Sequence, residues 1–455
     1  MSSDLSSSAH GSPEKKKNVG FISLGCDKNR VDTEKAIAIV RDAGYRVTDD
    51  VKKADIIVIN TCAFIKSAVK EAVDTVLEVA AEKKEGAKIV VAGCFTERYA
   101  AETAEEFSEV DAFVGMNRYA ELPEIFERLG EGERLFTGGE PTFYPSERVL
   151  TTPPHYAYLK IAEGCSNHCT YCTIPSIRGK FRSEPQENLV KEATRLAEEG
   201  VKELIVVAQD TTRYGSDLGD GSSLVGLLKK LCELDFSVIR LLYAYPESVT
   251  DELIDFIADE PKMAKYLDIP LQHVSDAVLK RMGRRTNYRN ITELIKKLRS
   301  RIPGVTVRST FIVGFPGESE EDFEKLRTFI GEGNVDYAGF FAYSREEGTA
   351  AAKMGAQIPY KVKVARRREL EKEEARVVNE HHQKYLGQRL EVVYENIDLK
   401  RGRFVGRTVF QAPEVDPVVS FTADFAPEVG AIYVVKITRG GFYMQGKALK
   451  KDQKE

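Results

Sequence analysis

Cysteines are the residues in this chain best placed to do chemistry: there are seven, and six fall into two groups of three. Cys165, Cys169 and Cys172 form C-x3-C-x2-C in Cys165-Ser166-Asn167-His168-Cys169-Thr170-Tyr171-Cys172, just after an apolar run. Three thiolates can hold three irons of a [4Fe–4S] cluster and leave the fourth iron open to a substrate. The competing assignment is a zinc site completed by His168, since three cysteines and a histidine are a common structural set. His168 lies on a tight loop between two of the cysteines, so its ring would struggle to reach the same metal. Cys26, Cys62 and Cys94 each close an apolar run, Phe21–Leu24, Ile56–Ile59 and Ile89–Ala92. Thiolates suit zinc or an iron–sulfur cluster, and position alone does not choose between them. Cys232 stands alone in a helical pattern and reads as core. In a reducing compartment, grouped cysteines mean metal or catalysis before they mean disulfides.

The runs before Cys26, Cys62 and Cys94 read as strands that alternate with helical patterns. Those patterns are Asp32–Ala43, Ser67–Glu82 and a stretch reaching Phe107. Such alternation implies a parallel sheet covered by helices, whose strands end on one shared edge, so the three thiols converge there. Gly25 and Gly93, directly before two of them, would let backbone approach a bulky cofactor. Six further strand–helix units occupy residues 155–360, with strands at Tyr156–Ala162, Glu203–Ala208, Val238–Tyr245, Tyr266–Leu271, Val305–Gly314 and Tyr337–Tyr343. Six units suit an incomplete (β/α) barrel rather than the eight of a closed one. A charged helix follows from Tyr360 to about Tyr385 and stops before Gly387. Five short strands then complete the chain, as in a small barrel of oligonucleotide-binding shape.

The fold class expected is therefore α/β and multidomain, within limits set by length and composition. The chain has 455 residues, 42% hydrophobic and 30% charged, which suits about three globular domains. Residues 1–17, Ser-rich and then Lys-rich, read as a disordered tail and not a secretory signal. Residues 18–145 form the first domain, 151–386 the middle domain with its trailing helix, and 387–450 the last. A linker runs from Thr137 to Pro154. No stretch approaches ~18 consecutive apolar residues, so no membrane partner is expected and the chain is placed in the cytoplasm. The 66 basic and 71 acidic side chains leave a charge of −5, which excludes a globally basic nucleic-acid binder.

C-x3-C-x2-C after the first strand of a partial barrel resembles the radical S-adenosylmethionine (SAM) enzymes. The preceding cysteine domain and the following small barrel narrow the resemblance to the methylthiotransferases, over about residues 18–450. That resemblance implies an N-terminal cluster domain, a radical SAM domain and a C-terminal TRAM domain. It implies that Cys165, Cys169 and Cys172 hold one [4Fe–4S] cluster, whose open iron chelates SAM for reductive cleavage to a 5′-deoxyadenosyl radical. Cys26, Cys62 and Cys94 would hold a second cluster carrying the transferable sulfur, and SAM would serve as both radical source and methyl donor. An electron donor such as flavodoxin or ferredoxin is implied as a partner.

Two branches of the family compete. Ser23-Leu24-Gly25-Cys26-Asp27-Lys28-Asn29-Arg30-Val31-Asp32 resembles S-L-G-C-x-K-N-x-V-D of the branch that modifies the β-carbon of an aspartate in small-subunit ribosomal protein twelve. Asp27 and Arg30 depart from the usual residues only at its variable places. Asp268-Ile269-Pro270-Leu271-Gln272-His273 resembles the same branch. The alternative is the branch that modifies a tRNA adenosine, and a distant one is a zinc-stabilised RNA-binding adaptor without catalysis. Between Thr408 and Val435 lie Glu414, Asp416, Asp424 and Glu428 with no Lys or Arg. An acidic face there would attract a basic ribosomal protein and repel phosphates. Lys400, Arg401, Arg403 and Arg407 form a separate basic cluster that would keep some RNA contact.

Polar residues at the carboxyl ends of barrel strands are candidates for contact with SAM. These are Gln209 after the second strand, Gln272 after the fourth, and Arg308 with Gly314 on and after the fifth. The turn Gly314-Phe315-Pro316-Gly317-Glu318 resembles the segment that passes the adenine and ribose in radical SAM enzymes. His155, His381 and His382 have no partner pattern and read as surface residues. No catalytic acid or base stands out.

Overall fold

Ile56-Ile57-Val58-Ile59 is buried along its whole length, as a strand inside a parallel sheet must be when helices cover both faces. The computed structural model describes residues 17–144 and 147–450, so the expected tail lies, apart from Lys17, outside the described residues. One compact unit takes the described residues up to Ala63 and then Ser67–Val149. The other takes Phe64–Lys66 and the chain from Leu150 onward.

The first unit holds β1 (Asn18–Ser23), β2 (Arg46–Thr48), β3 (Ile56–Thr61), β4 (Lys88–Gly93), β5 (Ala112–Val114) and β6 (Leu135–Phe136). They form one sheet in the order β2-β1-β3-β4-β5-β6, every neighbouring pair parallel. Helices α1 (Asp27–Asp42), α2 (Lys66–Glu82), α3 (Cys94–Thr103) and α4 (Leu122–Glu127) connect them. Apolar periodicity predicts that α1 begins at Asp32, but it begins five residues earlier because its first turn carries polar residues that line the site. Part of the expected linker also belongs to this unit, since Tyr144 stacks on Tyr119 and Val149 N–H donates to the Glu34 carbonyl, while residues 150–154 belong to the other.

In the second unit, β7 (Tyr156–Lys160) leads into the short pair β8 (Ala162–Glu163) and β9 (Arg182–Ser183). Strands β10 (Glu203–Val207), β11 (Val238–Leu241), β12 (Met263–Asp268), β13 (Thr306–Val313) and β14 (Tyr337–Ala342) complete a six-stranded parallel sheet ordered β14-β13-β12-β11-β10-β7. Leu159, Leu204, Leu241, Leu267 and Val307 join the core made with the covering helices. Strand alternation turns Glu203, Arg240, Tyr266 and Arg308 to the opposite face. After a long helix (Tyr360–Gln383), five strands close a barrel: β15 (Arg389–Asp398), β16 (Arg403–Arg407), β17 (Val419–Thr422), β18 (Ile432–Arg439) and β19 (Met444–Ala448).

This small barrel is not separate from the six-stranded sheet, because charged residues bind the two within one unit. Arg407 pairs with Glu203 and donates through Nε to Glu395 at 2.7 Å. Arg240 donates to Glu203 at 2.7 Å, reaches the Val409 carbonyl at 2.8 Å and lies over the Tyr266 ring. Asp416 accepts from the Tyr266 hydroxyl at 2.7 Å and lies 3.5 Å from Arg308. Burial opposes the charge of Glu203, yet Arg407 and Arg240 outweigh it and bring its pKa down to about 2.

This seam corrects several sequence expectations. Asp416 is buried, and Asp424 pairs with Lys447 at 2.8 Å, so the four acids do not form one free acidic face. Arg407 is buried and Arg403 is bonded to Ser420, which leaves only Lys400 and Arg401 of the basic cluster fully exposed. His155 and His382 are buried rather than on the surface. His155 meets Glu395 at 3.3 Å, and His382 bridges the Tyr337 hydroxyl and the Gly441 carbonyl. His381 is half-buried and stacked on His382.

Removing Arg407 would leave Glu203 and Glu395 buried without their shared cation. Arg407→Ala is expected to cost about 3–5 kcal/mol, the usual penalty for breaking a buried pair, whereas Lys400→Ala should cost almost nothing. Urea unfolding of the two variants beside the parent protein checks this.

Candidate functional site

Each cysteine of the first triad sits where a strand of the first sheet ends. Cys26 follows β1 and bounds α1, Cys62 follows β3, and Cys94 opens α3 directly after β4. Asn29, in the first turn of α1, ties them together. It is fully buried, and its Nδ2 donates to the carbonyls of Leu24 at 3.1 Å and Thr61 at 2.9 Å. Its Oδ1 accepts from the Cys26 thiol at 3.9 Å and the Cys94 thiol at 3.7 Å. A methyl group on Gly25 would stand 2.5 Å from Cys62 Cβ and 3.2 Å from its Sγ, so Cys62 adjoins the turn that leads into Cys26. All three cysteines thus lie at the carboxyl ends of neighbouring strands.

The glycines are needed for a stated reason. Gly93 has φ +89°, and a Cβ there would meet Asn60 Oδ1 at 2.2 Å and the Thr61 carbonyl at 2.7 Å. Asn60 is fixed in turn: its Nδ2 donates to the Asn29 carbonyl and Thr33 Oγ1, and its Oδ1 accepts from the Tyr119 hydroxyl.

The second triad lies on the loop after β8. Cys165 N–H donates to the Gly179 carbonyl at 3.1 Å, and Cys172 N–H to the Cys169 carbonyl at 3.0 Å. Thr170 pins the middle, donating through its N–H to the Met282 carbonyl and through its hydroxyl to the Arg281 carbonyl, at the end of the helix Asp276–Arg281. Burial pushes the Cys172 thiol up to about 12 and raises Cys165 as well. A bare thiolate is disfavoured there, which is the setting that a bound cation reverses.

Among the described residues, no three His, Cys, Asp or Glu side chains close on a single metal ion. A tetranuclear cluster asks for something else, one thiolate on each of three irons. Both donor sets, three thiols apiece, fit such a cluster.

Beside the second triad, Glu163 gathers its neighbours. It accepts from Lys160 at 2.7 Å, Arg178 at 2.8 Å and Gln209 Nε2 at 3.0 Å. Burial opposes its ionisation, but Arg178 and Lys160 hold it well below the usual carboxylate range. Gln209 is thus oriented by a carboxylate two residues from Cys165. Sequence reasoning missed both Glu163 and Asn29, although each stands within three residues of a grouped cysteine. Gln272, at φ +71°, works through its backbone, which continues the sheet alongside β13 by pairing with Thr310 and Ile312. Gly314 N–H is taken by Glu318 at 2.7 Å, and a Cβ on it would strike Lys363 of the helix Tyr360–Gln383. Arg308 departs from expectation. Its guanidinium is committed to Asp268 at 2.8 Å and to Asp416, rather than open to a cofactor.

Family comparison agrees with this geometry. Residues 18–115 match Uncharacterized protein family UPF0004, residues 159–330 the Radical SAM superfamily and residues 386–443 the TRAM domain. Among solved structures, the radical SAM methyltransferase TsrM from Kitasatospora setae aligns with TM-score 0.55 at 15% identity, over 74% of this chain and 77% of that one. The cobalamin-dependent SAM radical enzyme OxsB aligns with TM-score 0.51 at 13% identity, over 86% and 64%. Both are similar in fold alone. A six-stranded parallel sheet with a three-cysteine loop after its first strand, in a segment matching this superfamily, defines a radical SAM enzyme, and that superfamily implies SAM and a [4Fe–4S] cluster. The chain is 48% identical to a ribosomal protein uS12 methylthiotransferase RimO from Caldanaerobacter subterraneus, over 90% of this chain and 94% of the relative. It is 46% identical to the one from Trichlorobacter lovleyi, over 94% and 97%. The chain belongs to the RimO family of sulfur-transferring radical SAM enzymes.

Gly93→Ala tests the packing of the first triad. Strain at positive φ and the Asn60 clash should together cost roughly 2 kcal/mol or more. The thermal midpoint of the iron-free protein should fall, and Cys94 should react faster with a thiol reagent.

Proposed function

We propose that the chain adds a methylthio group to the β-carbon of an aspartate in ribosomal protein uS12, in the cytoplasm. Cys165, Cys169 and Cys172 hold the [4Fe–4S] cluster that binds SAM, and Cys26, Cys62 and Cys94 hold a second. The convergence of the second set around Asn29 carries this reading, because a radical SAM enzyme that only cleaves its cofactor has no use for three further thiols at a sheet edge. Bound and reduced by one electron from a donor such as flavodoxin or ferredoxin, SAM supplies hydrogen-atom abstraction, and SAM also supplies the methyl group.

The chain's own residues do the rest. Hydrogen bonds from Thr170, Cys165 and Cys172 backbone fix the loop that presents one triad. Glu163 stays ionised, held by Arg178 and Lys160, and orients the Gln209 amide toward the cofactor side. Backbone at Gln272 and Gly314 closes the carboxyl ends of β12 and β13 beside it. Asn29 holds Cys26 and Cys94 at a common oxygen, while Gly25 and Gly93 let the turns come close enough to present them. The RimO relatives, named for uS12, favour the ribosomal protein over tRNA as the target.

Two measurements test the proposal. Anaerobically reconstituted protein should bind about eight irons per chain, and each triple Cys→Ala variant about four. Mass spectrometry of uS12 from a deletion strain should show the methylthio mark lost and then restored by the parent gene, but by neither triple variant. A mark that persists on uS12 while tRNA loses one would reject the substrate assignment.

A further inference from the structure

Arg284 is a buried cation without a matching carboxylate. It is 7% exposed, and among the described residues no carboxylate lies within ion-pair distance of it. Its Nη2 donates to the Pro270 carbonyl at 2.8 Å, and its Nε has no hydrogen-bond partner. Leaving a guanidinium buried and unpaired costs several kcal/mol, so a site that keeps one generally holds an anion beside it.

What faces Arg284 is the cysteine loop. Its guanidinium carbon lies 3.9 Å from the centroid of the Tyr245 ring, and the Tyr245 hydroxyl lies 3.8 Å from Cys169 Sγ. Tyr171 directly precedes Cys172 on the same loop, and Tyr171, Tyr245, Cys169 and Glu247 all act electrostatically on Arg284. The segment that carries Arg284 is the one that pins the loop: the Thr170 N–H reaches the Met282 carbonyl, and Gly283 leaves room for the loop backbone at His168. One turn of chain therefore fixes the position of Cys169 and delivers a positive charge toward it.

We propose that Arg284, acting with the Tyr245 hydroxyl, is the counter-charge of the Cys169 thiolate and raises the reduction potential of the cluster bound there. The inference rests on the assignment of Cys165, Cys169 and Cys172 as cluster ligands. Reduction adds one electron and one negative charge to the cluster and makes or breaks no bond. A nearby cation and hydrogen bonds to a ligand sulfur favour the reduced form. These are positioning and tuning residues, not groups that touch the reacting carbon.

The test is a dithionite titration of the full-length, iron-reconstituted protein, followed by electron paramagnetic resonance of the signal that changes when SAM is added. Tyr245→Phe should move its midpoint to a more negative potential, Arg284→Gln should move it further, and Arg284→Lys should restore most of the parent value. Iron content and the midpoint of the SAM-insensitive signal should stay unchanged. An unmoved midpoint with the SAM-sensitive signal intact in both Tyr245→Phe and Arg284→Gln overturns the proposal alone. Equal shifts of both signals also overturn it, since they report a structural change. If the parent's SAM-sensitive signal survives in the Cys165/Cys169/Cys172 triple Ala variant, the ligand assignment falls and the proposal falls with it.

Discussion

Parallel strand order is the constraint on which the chemistry of this protein depends. Every strand of a parallel sheet ends on the same edge, so residues far apart in the chain meet if each directly follows a strand. Cys26, Cys62 and Cys94 meet because β1, β3 and β4 are neighbours in register. The same rule serves the second unit, where the cysteine loop, Gln209, Tyr245, Gln272 and Gly314 all follow strand ends. Antiparallel pairing would scatter each of these sets over two edges.

Convergence alone would leave the thiols loosely placed, and the turns between strand and helix supply the precision. At Gly25 and Gly93 the backbone takes positive φ and passes within contact of Cys62 and Asn60. Asn29 then spends both amide protons on carbonyls at the ends of β1 and β3, which leaves its oxygen aimed at the thiols. At the other triad the means differ: backbone hydrogen bonds fix the loop, while Glu163 and Arg284 set the charge around it. A buried thiol resists ionisation, and a buried cation resists being alone. Each is relieved by the other once the thiol becomes an anionic ligand.

Much of this was legible in the sequence because the relevant signals are local. The six grouped cysteines, three strands of the first sheet, all six of the second and the five-stranded barrel follow from apolar runs and spacing, whereas the short strands β2, β5 and β6 carry too few residues to show a pattern. The less legible parts depend on tertiary partners. The first turn of α1 lacks apolar periodicity since it faces the site, so the helix seemed to begin at Asp32 and Asn29 went unnoticed. Asp416 and Arg407 carry the composition of surface residues, and nothing local announces that Arg308 and Glu203 await them. His155 and His382 are similar cases, buried because the small barrel covers them.

That seam also explains why Arg308 is not available to a cofactor. Without the small barrel, the sheet face that carries Tyr156, Glu203, Arg240, Tyr266 and Arg308 would lie open to water. An apolar patch could be covered in several registers at similar energy, since hydrophobic contact is non-directional. Within the sheet Glu203 has Arg240 and Arg308 has Asp268, and each gains a second partner, Arg407 or Asp416, when the small barrel takes this placement. Any other placement would leave Arg407 and Asp416 short of a buried partner at several kcal/mol, far more than a shifted apolar contact loses. The charges therefore fix one placement of the small barrel on the sheet, at the end opposite the cysteine loop. Gln209 and the cysteine loop, which follow the carboxyl ends of β10 and β7, take no part in that seam and are held instead by Glu163 and by backbone hydrogen bonds.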